Sequence, residues 1–242
     1  MIANIKKAAA HIEGAGMDSL DLNFDFEWEP EAPEPEKPKK KTKEPKPNEE
    51  KSINVTHRMG ARNIARKLAS EAALENAMPW HFNPGDCFHC FSFGDVDSFT
   101  FLKMVMRQQR IKYLALSTWC MAGEDVKELE TWYKRKMVGR VDFFMGEIFK
   151  GSYPEVYQET KKFVKQCNGR LVIFRNHSKV MAIKGERFDV LIESSANVNT
   201  NPRSENTVLT VDSELVDSYI RLFAEITPFN DDYNAEPYRL EE

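Results

Sequence analysis

His177, Lys179, Ser195, Asn197 and Glu205 fall within one stretch of the chain and carry the functional groups for one kind of chemistry. An imidazole beside an ammonium, with hydroxyl and amide donors and no carboxylate cluster, suits attack on an anionic phosphate. The lysine and asparagine would hold the non-bridging oxygens, and a histidine nitrogen could be the nucleophile. Such a histidine needs its other nitrogen held, usually by a carboxylate, and Glu205 lies close enough downstream to supply one. The element that must position these groups is a β-hairpin. Val180 to Ile183 and Phe188 to Ile192 are short apolar runs separated by Lys184-Gly185-Glu186-Arg187, a composition suited to a tight connection. A two-residue turn at Gly185-Glu186 would set Ile183 opposite Phe188 and His177 opposite Ser194. His177 and Lys179 would then share one face beside Ser194, Ser195 and Asn197.

These segments, His177-Ser178-Lys179, Ser194-Ser195-Ala196-Asn197 and Ser204-Glu205-Asn206, resemble the signature of the phospholipase D superfamily: HxK, then a GSxN segment, then a downstream glutamate. Order and spacing are most similar to the single-motif bacterial nuclease branch. Two positions depart from the family pattern. Lys184 stands where the family has an aspartate five residues after the lysine, and Ser194 replaces the glycine of GSxN. The resemblance implies an α/β, phospholipase D-like lobe over roughly residues 84 to 228, with its site completed by homodimerisation because one HxK is present. It further implies that His177 attacks phosphorus to give a phosphohistidine, with Lys179, Asn197 and Ser195 binding phosphate oxygens and Glu205 orienting the imidazole. No metal and no cofactor is implied.

The 242 residues, 41% hydrophobic and 11% aromatic, suffice for one domain with a sizeable core plus a tail. A net charge of -4 gives no bulk attraction to nucleic acid, so any such binding needs a local patch. Four scattered cysteines and an amino-terminal stretch without an apolar h-region point to reduced thiols and a cytoplasmic protein. No run approaches the roughly 18 apolar residues of a membrane span. Cys87 and Cys90, three apart on an expected strand, point to opposite faces, which argues against zinc or a disulfide.

Residues 1–52 read as a tail rich in Pro, Glu and Lys, in which Asp21 to Trp28 alternates acids with aromatic or aliphatic residues. Residues 20–28 are a candidate docking peptide for a protein partner or for the domain's own basic cleft; the alternative is a tail with incidental aromatics. Residues 53–230 read as the folded domain, opened by a helix over 57–76 whose Arg58, Arg62, Arg66 and Lys67 form a basic face. Strands then alternate with helices: Cys87 to Phe93, a helix from Asp95 to Gln109 capped by Asp95 or Asp97, Ile111 to Thr118, Glu124 to Met137, Val141 to Phe144, Tyr153 to Cys167, and Leu171 to Phe174. This alternation predicts a mixed, mainly parallel sheet flanked by helices, with the C-terminal hairpin carrying the site. A strand at Thr207 to Val211 and a helix at Glu214 to Ile226 follow, and 231–242 reads as a loose acidic tail.

Ligands of such sheets bind outside the carboxyl ends of the strands. His177 lies just past the strand ending at Phe174, so Ser92 to Asp95, Ser117 to Cys120 and Gly146 to Phe149 should surround it. Trp119 and Phe149 are candidates for stacking on a base. Arg175, Lys184 and Arg203 are candidates for substrate phosphates, each equally readable as a surface charge. The function expected is a metal-independent phosphodiesterase, a nuclease with nucleic acid as partner. The alternatives are an inactive nucleic-acid-binding module of the same fold and a phosphodiesterase acting on phospholipid.

Overall fold

The computed structural model describes residues 71–93, 96, 98–198, 204–231 and 234–240. The expected tail, the basic face at 58–67, the caps at Asp95 and Asp97, and Arg203 lie outside the described residues. Residues 71–77 are helical, in line with the end of the helix expected over 57–76.

Seven strands form one sheet: β1 (Cys87–Ser92), β2 (Ile111–Thr118), β3 (Val138–Gly146), β4 (Leu171–Phe174), β5 (Val180–Gly185), β6 (Val190–Ser194) and β7 (Glu205–Thr210), in the spatial order β1-β7-β6-β5-β2-β3-β4. Helices α1 (Ser98–Gln108), α2 (Gly123–Lys134), α3 (Phe149–Ser152), α4 (Pro154–Gln166) and α5 (Ser213–Ala224) intervene. Local chemistry explains several boundaries. Pro154 opens α4, where its missing N–H is not needed. Asp212 caps α5 by accepting from Leu215 N at 2.9 Å. Asn168 adopts a positive φ of 53° after α4, turning the chain into β4.

Burial follows sheet position. Central β2 is buried throughout except at Lys112, as a strand covered on both faces requires. Edge strand β1 is half-exposed along its length. The larger core packs α1, α2 and α4 against one face through Leu102, Val105, Leu129 and Phe163. The smaller packs α5 on the other face, where Phe144 stacks on Phe223 with ring centroids 4.4 Å apart.

The sheet is mixed, but the mainly parallel expectation is corrected. Only β2–β3 and β3–β4 pair in parallel; β1–β7, β7–β6, β6–β5 and β5–β2 are antiparallel. Strand–helix alternation fixes strand direction, not neighbours. β1 runs the same way as β2, since four antiparallel steps separate them, yet it sits at the far edge with β7, β6 and β5 between. The carboxyl ends of β1, β2, β3, β4 and β6 therefore share one rim with the amino ends of β5 and β7.

Two local expectations are also corrected. Antiparallel neighbours β5 and β6 pair Ile183 with Val190, not with Phe188. Gly185 is not in the turn; it pairs with Ile111 of β2. Gln109 holds the longer loop, donating to Phe188 O at 2.7 Å and accepting from Arg187 N and Phe188 N. The register moves by two residues, so each side chain keeps its face. The carboxyl-terminal segment does not hang loose either. Phe229 N donates to Ile173 O, and the Asn230 and Asn234 side chains accept from Ile173 N and Leu171 N. Tyr238 stacks on Tyr113 at 3.8 Å. The hydrogen bonds from Phe229, Asn230 and Asn234 cover the open edge of β4, which would otherwise present unpaired backbone groups, while Tyr238 packs on the sheet face at β2.

Candidate active site at the strand-end rim

His177 sits in the short link between β4 and β5, at the rim where five strands end. Its neighbours fix this link. Asn176 is buried, and its Nδ2 donates to Ser117 Oγ at 2.9 Å, Phe144 O at 2.8 Å and Thr118 O at 3.4 Å. Its Oδ1 accepts from Ser178 N at 2.9 Å and Ser178 Oγ at 2.7 Å. Ser178 also shares a 2.6 Å hydroxyl contact with Ser117. One amide thus ties the ends of β2 and β3 to the residue after His177, while the imidazole itself is exposed.

Lys179 Nζ lies 3.1 Å from His177 Nδ1 and donates to His177 O. Partial burial lowers the Lys179 pKa, opposed by the charges of Cys120 and Glu205. A lysine so placed holds its proton less tightly than in water. Lys179 O accepts from Ser194 N at 2.9 Å, which anchors β5 to the Ser194-Ser195-Ala196-Asn197 segment. Ser195 Oγ donates to Glu205 Oε2 and accepts from Asn206 N at 3.0 Å. The Asn197 side-chain carbonyl accepts from Thr118 Oγ1 and Trp119 N, each at 3.3 Å. The Trp119 ring lies 5.8 Å from the His177 ring, tilted by 52°. A Cβ at Gly146 would collide with that indole, so glycine at the end of β3 makes room for Trp119.

His177, Lys179, Ser195, Asn197, Glu205 and Trp119 are therefore linked through successive contacts on one rim. Glu205 is committed to Ser195, and the His177 Nδ1 faces Lys179. Arg175 is close in sequence but 88% exposed, 3.9 Å from Glu147. Lys184 is not at this rim. It lies at the other end of β5, some five residues or about 16 Å from Lys179, bonded to Asp189 and Asp217 at 2.7 Å each. Desolvation pulls the Lys184 pKa down, but the two carboxylates more than offset it and the net shift is upward. Phe149 does not face a ligand: it is fully buried against Tyr153 and Tyr157. Among the described residues, no group of three or more His, Cys, Asp or Glu could hold a metal ion.

Sequence reasoning missed Asn176; it set Ser117 and Gly146 on rim segments around His177 and Ser178 inside the HxK segment, without a bonding role for any of the three. Asn176 precedes the histidine directly, but an asparagine between two elements is ordinary turn chemistry. Its role depends on the ends of β2 and β3, more than thirty residues upstream.

No protein-family model matches the chain, and no curated protein matches it. Solved structures similar to it include a polyphosphate kinase from Porphyromonas gingivalis (14% identity, TM-score 0.44, covering 60% of this chain and 27% of that one). TrmBL2, an archaeal chromatin protein, is similar at 12% identity and TM-score 0.42, over 71% of this chain and 64% of that one. Phosphatidylserine synthase from Haemophilus influenzae Rd KW20 is similar at 16% identity and TM-score 0.38, over 56% and 38% of the two chains. The chain thus spans about a quarter of the length of the polyphosphate kinase.

Proposed function

We propose that this chain is a metal-independent phosphodiesterase of the phospholipase D type acting on nucleic acid, with a site completed by a second copy. The observation that carries the reading is the meeting, at one rim, of three separated segments that supply an imidazole, an ammonium, hydroxyl and amide groups and a single carboxylate. A phosphate seated there would draw the Lys179 ammonium off the His177 Nδ1 onto a non-bridging oxygen. Nδ1 would then take up the ring proton and leave the Nε2 lone pair for attack on phosphorus. Glu205, released by Ser195, is the group available to hold that Nδ1 proton, while the freed hydroxyl turns to the phosphate.

As the N–P bond forms, the P–O bond to the leaving group breaks. The leaving oxygen takes a proton from His177 of the partner subunit. The same imidazole then accepts a proton from water, which attacks the phosphohistidine and frees His177 with a phosphomonoester as product. The Asn197 side chain and Trp119 flank this space.

The test is hydrolysis of bis(p-nitrophenyl) phosphate and of labelled single- and double-stranded DNA and RNA, in chelator at low salt, by the parent and by His177→Ala. The expected result is turnover by the parent and a loss of about two to four powers of ten in the variant. Equal turnover by both would overturn the assignment. Salt-sensitive binding without turnover by either would favour the binding-module alternative, for which the lysine at position 184 in place of the family's aspartate is the motivating feature.

A further inference from the structure

We infer that Ser194, through a hydroxyl pair with Thr207, is a positioning residue for the phosphate-binding segment Ser195-Ala196-Asn197. The inference rests on the phosphodiesterase reading above and deepens it by assigning the support of the groups that hold the phosphate oxygens. Sheet register sets which side chains share a face. Met181, Ile192 and Leu209 are neighbours across β5, β6 and β7, and all three point into the larger core. Two residues nearer the rim on each strand, Lys179, Ser194 and Thr207 therefore point the same way, and Glu205 follows two residues further along β7. The Ser194 side chain stands between the lysine and the strand that carries Glu205.

Ser194 Oγ accepts from Ala196 N at 3.1 Å, closing a side-chain turn over Ser195. It meets Thr207 Oγ1 at 2.8 Å and lies 3.4 Å from Asn206 O. Thr207 is only 5% exposed, so water does not readily replace that partner. The bond to Ala196 N fixes the direction in which the chain leaves β6, and so sets Ser195 against Glu205 and Asn206 N. The far end of the segment is held separately, by Ser98 Oγ donating to Asn197 O at 3.0 Å.

In the signature that this segment resembles, glycine stands at position 194 and has no side chain to make either bond. In the proposed reaction the Ser195 hydroxyl leaves Glu205 and turns to the phosphate. A backbone pinned by Ser194 at one end and Ser98 at the other lets that hydroxyl rotate while Ser195 and Asn197 keep their places. Ser194 and Thr207 touch no substrate themselves; they act through the segment. Each also acts through the other, so with Ser194 removed the Thr207 hydroxyl should contribute nothing more.

The experiment compares the parent with Ser194→Ala, Ser194→Thr, Thr207→Val and the double variant Ser194→Ala/Thr207→Val. It measures kcat and KM on bis(p-nitrophenyl) phosphate, affinity for inorganic phosphate by phosphorus NMR titration, and the urea midpoint of each protein. Ser194→Ala should lower both kcat/KM and phosphate affinity by about fivefold, roughly the worth of one hydrogen bond. Thr207→Val, which keeps the side-chain shape, should lower both in the same direction, and the double variant should match Ser194→Ala. Ser194→Thr, which keeps the hydroxyl, should restore both. A lowered urea midpoint with unchanged kcat/KM and phosphate affinity would overturn the inference and leave the pair a purely structural bond. Losses that multiply in the double variant would overturn the pairing. If the parent binds phosphate but does not hydrolyse the diester, the phosphodiesterase reading fails, while the phosphate affinities still decide whether Ser194 positions the segment. A parent that binds no phosphate would overturn both.

Discussion

His177 is positioned by the residues on either side of it more than by bonds to its own ring. Asn176 satisfies the carbonyls of Thr118 and Phe144 and both donors of Ser178, so its loss would leave several partly buried polar groups unpaired at once. Each such group costs about 1–3 kcal/mol, with relaxation and water reducing the sum. Asn176→Ala should therefore lower unfolding free energy by about 2–4 kcal/mol, read from urea denaturation, and should also reduce turnover because the link carrying His177 loosens. A variant with the parent's urea midpoint would show that this network contributes no stability. At this scale the sequence is informative about reactive groups and silent about their supports. The types and spacing of His177, Lys179, Asn197 and Glu205 singled them out, whereas Asn176 has meaning only once β2 and β3 end beside it.

The strands explain why one expected phosphate ligand does no work at the rim. Lys184 and Lys179 belong to the same strand-forming run, but they lie at its opposite ends, and only the register of β5 against β2 and β6 decides which end meets the site. At its own end Lys184 joins Asp189 of the β5–β6 loop to Asp217 of α5, and Asp189 also accepts from Gly185 N at 3.1 Å. Lys184→Met would leave two carboxylates facing each other without their cation. The lysine is about one-fifth exposed, so the cost falls below that of a fully buried pair, at about 1–2 kcal/mol. The variant should melt earlier while its turnover stays within about twofold of the parent, whereas a substrate-binding lysine would give the reverse pattern. The parallel units β2-α2-β3 and β3-α4-β4 were legible because each strand and helix has its own hydrophobic period. The placement of β1, the Gln109-held loop and the docked carboxyl terminus depend on partners tens of residues away, which no local period encodes.

For the whole molecule, the folded state is set against alkali by Cys167, whose thiol burial pushes from the ordinary value of 9.0 up to about 11. Because the folded value is raised, the folded chain binds more protons than the unfolded chain between those two values. The contribution is fully present below pH 9 and is lost as pH rises through 11, amounting to about 2–3 kcal/mol at 1.36 kcal/mol per pH unit. Cys167→Ala should accordingly lose less stability than the parent over that interval in denaturation measured at stepped pH. The number of copies needed for turnover is the remaining property of this scale. If one histidine attacks while the other protonates the leaving group, a dimer with a single His177 lacks one of the two steps, and activity follows the fraction of dimers that carry both. Equal amounts of parent and His177→Ala, exchanged to equilibrium, give about one quarter parent–parent dimers, so activity per parent chain should fall to about half its unmixed value. Protomers that work alone would keep that value at one. Dilution provides the independent check, since specific activity should drop at the concentration where sedimentation shows the dimer dissociating, and an activity indifferent to both mixing and dilution would place the entire reaction within one copy of this rim.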